Sequence, residues 1–331
     1  MRLVGSDHRE PYNMNICNPI IECRADPHVY LHTDGTYYFT ASVPEYDRIE
    51  LRRSSSLTDL DSTQEIVTVW HKPDTGPYSD LIWAPEIHYM DGLWVIYFAA
   101  APNRDIKDDA FQHRMYAITC EAEDPIASPW TFAGQVDSGI DSFCLDATLF
   151  KRHDQWYYLW AQKSPDKPGN SCLYIATMKS ATELSSEPVM LTAPELDWEV
   201  RGFLVNEGPS VIQRHGKIFV TYSASATDER YCMGLLSIDE NADLLNAKLW
   251  HKSPTPVFQT DEEREIFGPG HNSFTRSQDG KTDYLIYHAR NYKGIEGDPL
   301  WDPNRHTCVH VLQWNDHGEP VFGRPAQRVT L

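Results

Sequence analysis

The sequence predicts an all-β chain folded as a five-bladed β-propeller around a central, carboxylate-lined pocket. Three observations carry this. Five strand–turn–strand units recur at near-equal spacing, the second strand of each unit is rich in aromatic and β-branched residues, and long helical periodicity is scarce.

The units can be followed in order. Their turns are Asp34-Gly35 before TYYFTAS, Asp91-Gly92 before LWVIYFAAA, Asp154-Gln155 before WYYLWAQ, His215-Gly216 before KIFVTYSAS, and Asp279-Gly280 before KTDYLIYHA. A turn-forming pair followed by a β-rich run is a hairpin signal. Turns at 34, 91, 154, 215 and 279 mark a supersecondary unit of roughly 60 residues, repeated along the chain. Closure into a propeller protects the sheet edges of such an array; a β-sandwich with accidental spacing is the alternative. At 331 residues each blade has about 66, against the roughly 40–45 that four strands need. The surplus falls in the loops 102–114, 161–171, 192–206 and 291–306, and loops carry sites. No linker divides the chain, so residues 1–331 are expected to form one catalytic domain, with the extreme C-terminus closing the last blade.

Composition narrows the function. The hydrophobic fraction of 41% suits a globular protein, and 10 Trp, 17 Tyr and 12 Phe suit both strands and a site that stacks flat ligands such as sugars. A net charge of −19 disfavours nucleic acids and anionic membranes. No run of about 18 apolar residues could span a bilayer. The opening MRLVGSDHREPYNMN lacks the apolar core of a signal peptide, and seven cysteines without CxxC spacing read as reduced thiols. A cytoplasmic location is therefore expected. Oligomeric state is left open.

Aligning the repeats on their turns exposes the site. Eight residues before the turn stand Asp26, Asp146, Glu207 and His271, and in the second unit Glu86 stands five before it. Equivalent positions of successive blades converge on the axis, so five ionisable groups are expected to face one pocket. Such a set is costly to bury unless wet, paired or chemically used. Two carboxyls across a pocket suit glycosidic hydrolysis, one protonating the leaving oxygen and the other activating water or attacking directly. A third tunes the acid. Glu207, with a longer arm and the Gly208-Pro209 bend, suits the acid, and Asp26, fixed by Pro27, suits the base. The sequence contains no Gly-x-Ser-x-Gly elbow, His-Glu-x-x-His helix, phosphate loop or dinucleotide fingerprint.

In this order, NPI with RADPHVY, WAPEIHY, LDATLF, NEGPSVI, GPGHNSF and YHARN resemble glycoside hydrolase family 43, from about Asn18 to Gly323. SVPEYDRIELRR, TYSASATDERYCMGLL and DPLWDPNRH resemble its exo-acting α-L-arabinofuranosidases. The resemblance implies a five-bladed propeller and inversion by single displacement, with Asp26 as general base, Glu207 as general acid and Asp146 as the group that tunes and orients the acid. It implies that Arg290 reaches the base and substrate, and that Trp83 walls the sugar, with Phe143 and Trp301 as further walls and Glu86 in the substrate-binding set. His271 would lie at the pocket floor, close to a structural calcium ion held directly or through water, although calcium prefers oxygen ligands. No cofactor is required for the chemistry. Arg290 as a salt bridge and Trp83 as inter-blade packing are the structural alternatives. The expected substrate is an α-1,5-linked arabino-oligosaccharide; a β-xylosidase, an arabinoxylan-debranching arabinofuranosidase and a noncatalytic carbohydrate-binding propeller are the competing readings.

Overall fold

A computed structural model describes residues 15–330; the polar opening segment lies outside them. The first strand, β1 (Asn15–Cys17), precedes five four-stranded antiparallel sheets, each built from one contiguous stretch of chain. Blade one holds β2 (Ala25–Leu31), β3 (Tyr37–Ser42), β4 (Arg48–Ser54) and β5 (Ile66–His71). Blade two holds β6 (Asp80–Met90), β7 (Leu93–Ala101), β8 (Arg114–Cys120) and β9 (Thr131–Gln135). Blade three holds β10 (Cys144–Arg152), β11 (Gln155–Gln162), β12 (Cys172–Met178) and β13 (Val189–Thr192). Blade four holds β14 (Asn206–Arg214), β15 (Lys217–Ala224), β16 (Cys232–Asp239) and β17 (His251–Lys252). Blade five holds β18 (Phe267–Arg276), β19 (Asp283–Arg290), β20 (His306–Trp314) and β21 (Pro320–Val321). The five-bladed propeller read from the repeats is the fold observed, and each of the five turns joins the first two strands of a blade. Asp91-Gly92 and His215-Gly216 have positive φ at both residues, which matches the right-handed twist of a tight hairpin.

The blades meet through apolar wedges. Tyr38, Ile49 and Leu51 of blade one pack with Ile87, Trp94 and Phe98 of blade two. Val95 and Tyr97 of blade two, Leu159 and Trp160 of blade three, and Val220 and Leu236 of blade four share one cluster. Ile212, Phe219 and Met233 of blade four meet Leu285 and Tyr287 of blade five. Tyr284, Ile286 and Val309 of blade five complete the ring against Val29, Phe39 and Ala41 of blade one. With the apolar residues packed between blades, the axis is left to polar groups.

The extreme C-terminus was expected to close the last blade. Instead β22 (Arg328–Thr330) pairs with β1, forming a two-stranded ribbon between the first and last strands of the described residues. Asn18 rivets this ribbon to blade five. Its amide donates to the carbonyls of Val309 (2.9 Å) and Ala326 (2.8 Å) and accepts the Val309 N–H (2.9 Å). The seven cysteines are all free thiols.

Asn18→Ala removes three hydrogen bonds and leaves partly buried backbone groups unpaired. A loss of about 1–3 kcal/mol is expected, read as a lower denaturant midpoint with kinetic constants unchanged below the transition.

Candidate functional site

The site begins with a kink repeated five times. Each inner strand loses register with its neighbour at the same step: Ala25/His28, Trp83/Glu86, Leu145/Thr148, Glu207/Ser210 and Gly270/Ser273. Inside each step one residue has positive φ: Asp26 (55°), Ala84 (44°), Asp146 (52°), Gly208 (54°) and His271 (40°). Such a bulge re-aims a side chain out of the sheet's alternation, and here it turns the residue towards the axis. At Gly208 a Cβ would stand 3.0 Å from Cγ of His271, so a side chain there would press on that ring.

A cavity of about 250 Å³ lies above these kinks, with Asp26, Asp146, Glu207 and His271 among its lining residues. The His271 ring sits between two carboxylates, its Nδ1 3.2 Å from Asp26 Oδ1 and 3.7 Å from Asp146 Oδ2. Asp26 also accepts a hydrogen bond from the Ser42 hydroxyl (2.6 Å) and lies 3.4 Å from Nη1 of Arg305. Its backbone N–H donates to Nδ1 of His288 (3.0 Å). Asp146 accepts the N–H of Gly208 (3.0 Å), so it grips the backbone next to Glu207. Glu207 accepts from the Tyr231 hydroxyl (2.8 Å), and the Tyr231 ring stacks parallel on His288.

These neighbours separate the protonation states. Burial alone would raise Asp26, but the charges of Arg305 and His271 outweigh it and hold the carboxyl well below the usual carboxylate range. Glu207 moves the other way: burial, with the charge of Asp146 adding to it, pushes it up to about 8. Asp146 is raised, chiefly by burial and further by Asp26, while His271 opposes the shift. Burial disfavours a charged His271, yet Asp146 and Asp26 together raise it to about 10, so it is a cation at neutral pH. Burial pushes His288 down to about 3, leaving it the neutral acceptor that the Asp26 N–H needs.

The walls come from the loops. Ile106, Asp109 and Phe111 stand on 102–114, Asn170 on 161–171, Phe203 and Val205 on 192–206, and Asp298, Leu300 and Arg305 on 291–306. Trp83 and Phe143 line the cavity, and Trp83 is braced by a stacked His113 with ring centroids 3.8 Å apart.

Three expected site residues are not brought to the cavity. Glu86 is buried one step past the kink of β6, with Oε2 3.1 Å from His88 Nε2, because its strand position matches His28 rather than Asp26. Arg290 is buried too, but its donors go to the carbonyls of Thr227 (2.6 Å) and Pro299 (3.0 Å) and to Asp302 (3.4 Å). It braces the loop that delivers Arg305, and Arg305 is the arginine that reaches Asp26. Trp301 is 47% exposed, with the Arg104 guanidinium over its ring and Tyr46 at its edge, and it does not line the cavity. The Nδ1 edge of the His271 ring faces Asp26 and Asp146, and the cluster of possible metal ligands among the described residues, His28, Glu86 and His88, offers two imidazoles and a single carboxylate, fewer oxygens than calcium takes. Arg305, His288 and Tyr231 were missed as site residues although DPLWDPNRH, YHARN and TYSASATDERYCMGLL contain them.

The chain matches the model of glycosyl hydrolases family 43 over residues 16–320. The extracellular exo-alpha-(1->5)-L-arabinofuranosidase of Streptomyces avermitilis is 50% identical over 313 residues, covering 95% of this chain; the chain spans 64% of that relative's length. The protein of the same name from Streptomyces chartreusis is 44% identical, covering 89% of this chain and 88% of the relative. The crystal structure of an α-L-arabinofuranosidase from Lactobacillus brevis superposes with a TM-score of 0.92 at 54% identity, covering 94% of this chain and 97% of that one. The expected cytoplasmic location is corrected by these relatives, two of which are named extracellular. Unpaired thiols report a fold that needs no cross-links; they do not report an address.

Removing the positive charge at 305 should raise the Asp26 pKa. Arg305→Gln is expected to move the acid limb of the pH–activity profile upward, whereas Arg290→Gln leaves that limb in place and lowers the melting temperature.

Proposed function

The chain belongs to glycosyl hydrolases family 43, and on that premise we propose that it releases L-arabinose from the non-reducing ends of α-1,5-linked arabino-oligosaccharides by inverting single displacement. One observation carries the mechanism: across a single cavity Asp26 is held ionised while Glu207 is held protonated. Glycosidic hydrolysis by a pair of carboxyls needs that pairing.

Asp26 draws the proton from a water molecule, which attacks the anomeric carbon, and Glu207 gives its proton to the departing oxygen. Tyr231 donates to Oε1 of Glu207, so the transferable proton sits on Oε2. Once the proton has left, the same hydroxyl stabilises the carboxylate. Asp146 keeps Glu207 protonated through its charge and steadies it through the Gly208 N–H. Trp83 and Phe143 supply apolar faces for a furanose ring. The cavity is floored by His271 and the carboxylates, which favours a chain end over a mid-chain segment. The β-xylosidase reading has weaker support, because the xylosidase among the similar structures is 17% identical and speaks only for the fold.

Proton NMR of linear α-1,5-arabinotriose during digestion tests this. Arabinose is expected from the start as the β-anomer, together with arabinobiose. First appearance of the α-anomer overturns inversion, and release of xylose from xylobiose with no attack on arabinotriose overturns the substrate. Glu207→Gln is expected to lose on the order of 10²–10⁴-fold in kcat/KM on natural linkages, and far less on an aryl glycoside whose leaving group needs no proton. Asp146→Asn removes a negative neighbour, so the Glu207 pKa falls. The alkaline limb of kcat/KM should shift to lower pH.

A further inference from the structure

The loop 192–206, which brings Phe203 and Val205 to the cavity wall, folds around a carboxylate that the hydrolytic reading does not use. Glu199 is fully buried and does not line the cavity. Its oxygens collect donors from the loop itself and from three strands of blade four. Oε2 accepts the backbone N–H groups of Glu195 and Leu196, at 2.9 Å each. Oε1 accepts the Tyr222 hydroxyl of β15 (2.8 Å) and the Asn206 amide of β14 (3.1 Å). The Lys252 ammonium of β17 lies 2.7 Å from Oε1 and 2.8 Å from Oε2, and it also donates to the Ala193 carbonyl (3.0 Å).

A buried carboxylate persists only when it is paired and hydrogen-bonded, and one this fully bonded fixes whatever it holds. The held group closest to the chemistry is Asn206, which directly precedes Glu207. Asn206 is itself fully buried. Its amide also donates to the Val205 carbonyl (3.0 Å), and its Oδ1 accepts the Thr192 hydroxyl (3.2 Å). Its backbone N–H donates to the Ser171 carbonyl (3.0 Å), and its carbonyl accepts the Ser171 hydroxyl (3.1 Å). On the far side of Glu207, the Gly208 N–H is held by Asp146 (3.0 Å). Glu207 thus hangs between two pins, and only the second belongs to the catalytic cluster.

We infer that Glu199 is a positioning residue for the general acid, acting through Asn206; this rests on the reading of Glu207 as that acid. A carboxyl that gives up its proton must meet the departing oxygen within hydrogen-bond reach, and a misplacement of about 1 Å can cost on the order of 10²-fold. Glu199→Gln keeps the size of the side chain but turns one acceptor oxygen into a donor amide. Facing Lys252, Tyr222, Asn206 and two backbone N–H groups, that amide cannot satisfy them all. Strand β14 then starts from a looser anchor and Glu207 loses its aim, while Asp26 and the water it activates are untouched.

Aryl α-L-arabinofuranosides whose phenols span a range of acidity separate aim from stability, because only the poor leaving groups need the proton. For each variant kcat/KM is measured well below the melting transition and plotted against leaving-group pKa. The native chain is expected to give a shallow slope and Glu207→Gln a steep one. Glu199→Gln and Asn206→Ala should fall between them, losing up to on the order of 10²-fold on the poorest leaving group and staying near native on the best. Lys252→Met, on the edge strand β17, disturbs the same carboxylate from outside and takes the place of Glu199→Gln if that chain does not fold. A native slope in the folded variants, or an equal loss at every leaving group, overturns the inference, since a purely structural contact moves rates and not slopes. A Glu207→Gln slope no steeper than the native one overturns the acid reading and the inference with it. That result is distinct from a steep Glu207→Gln beside a native-like Glu199→Gln, which overturns the inference alone.

Discussion

The axis depends on a backbone conformation that ordinary residues avoid. In each inner strand one residue is held at positive φ, and in four of the five blades that residue is not glycine. Each non-glycine case costs on the order of 1–3 kcal/mol, and it persists because the flanking strand segments are paired on both sides of the kink. Without it, Asp26, Asp146 and His271 would follow the regular alternation of their strands. With it, chain segments far apart in sequence deliver charge to one place.

Once delivered, the charges define one another. His271 stands between Asp26 and Asp146, and Arg305 approaches Asp26 from the last long loop. The two cations meet the base, while Glu207, bonded only to a phenol and next to a like charge, keeps its proton. No residue makes this division alone. It is a property of the cluster, whose members come from four blades and a loop.

Much of this was legible in the sequence, for physical reasons that can be named. Hairpin turns announce themselves because they need particular residues, so the blades could be counted. Counting back from the turns then found Asp26, Asp146 and His271 at the kink itself and Glu207 one residue ahead of it, because the distance from turn to kink is nearly constant. Glu86 failed that count, at five residues instead of eight, and the mismatch was the visible sign of its different layer. Arg290 and Arg305 could not be told apart by pattern. Which of them reaches Asp26 depends on how the loop 291–306 folds back, and that loop follows no strand periodicity. Trp301 belongs to the same loop and was misplaced for the same reason. The C-terminal ribbon was invisible because β1 and β22 are three residues each, too short to show alternation.

Each blade is made from a single stretch of chain, with no strand borrowed from another blade. During synthesis, a blade can therefore complete its hydrogen bonds within about sixty residues of emerging, and such local contacts form quickly. The ring cannot. Its last seam joins blade five to blade one, and the pair formed by Asp26 and Arg305 spans 279 positions. The catalytic arrangement is thus among the last features to exist. A chain stalled with four sound blades would carry most of its secondary structure and lack the arginine that keeps its base charged. Activity in this protein reports closure of the circle, and spectroscopic β-content does not.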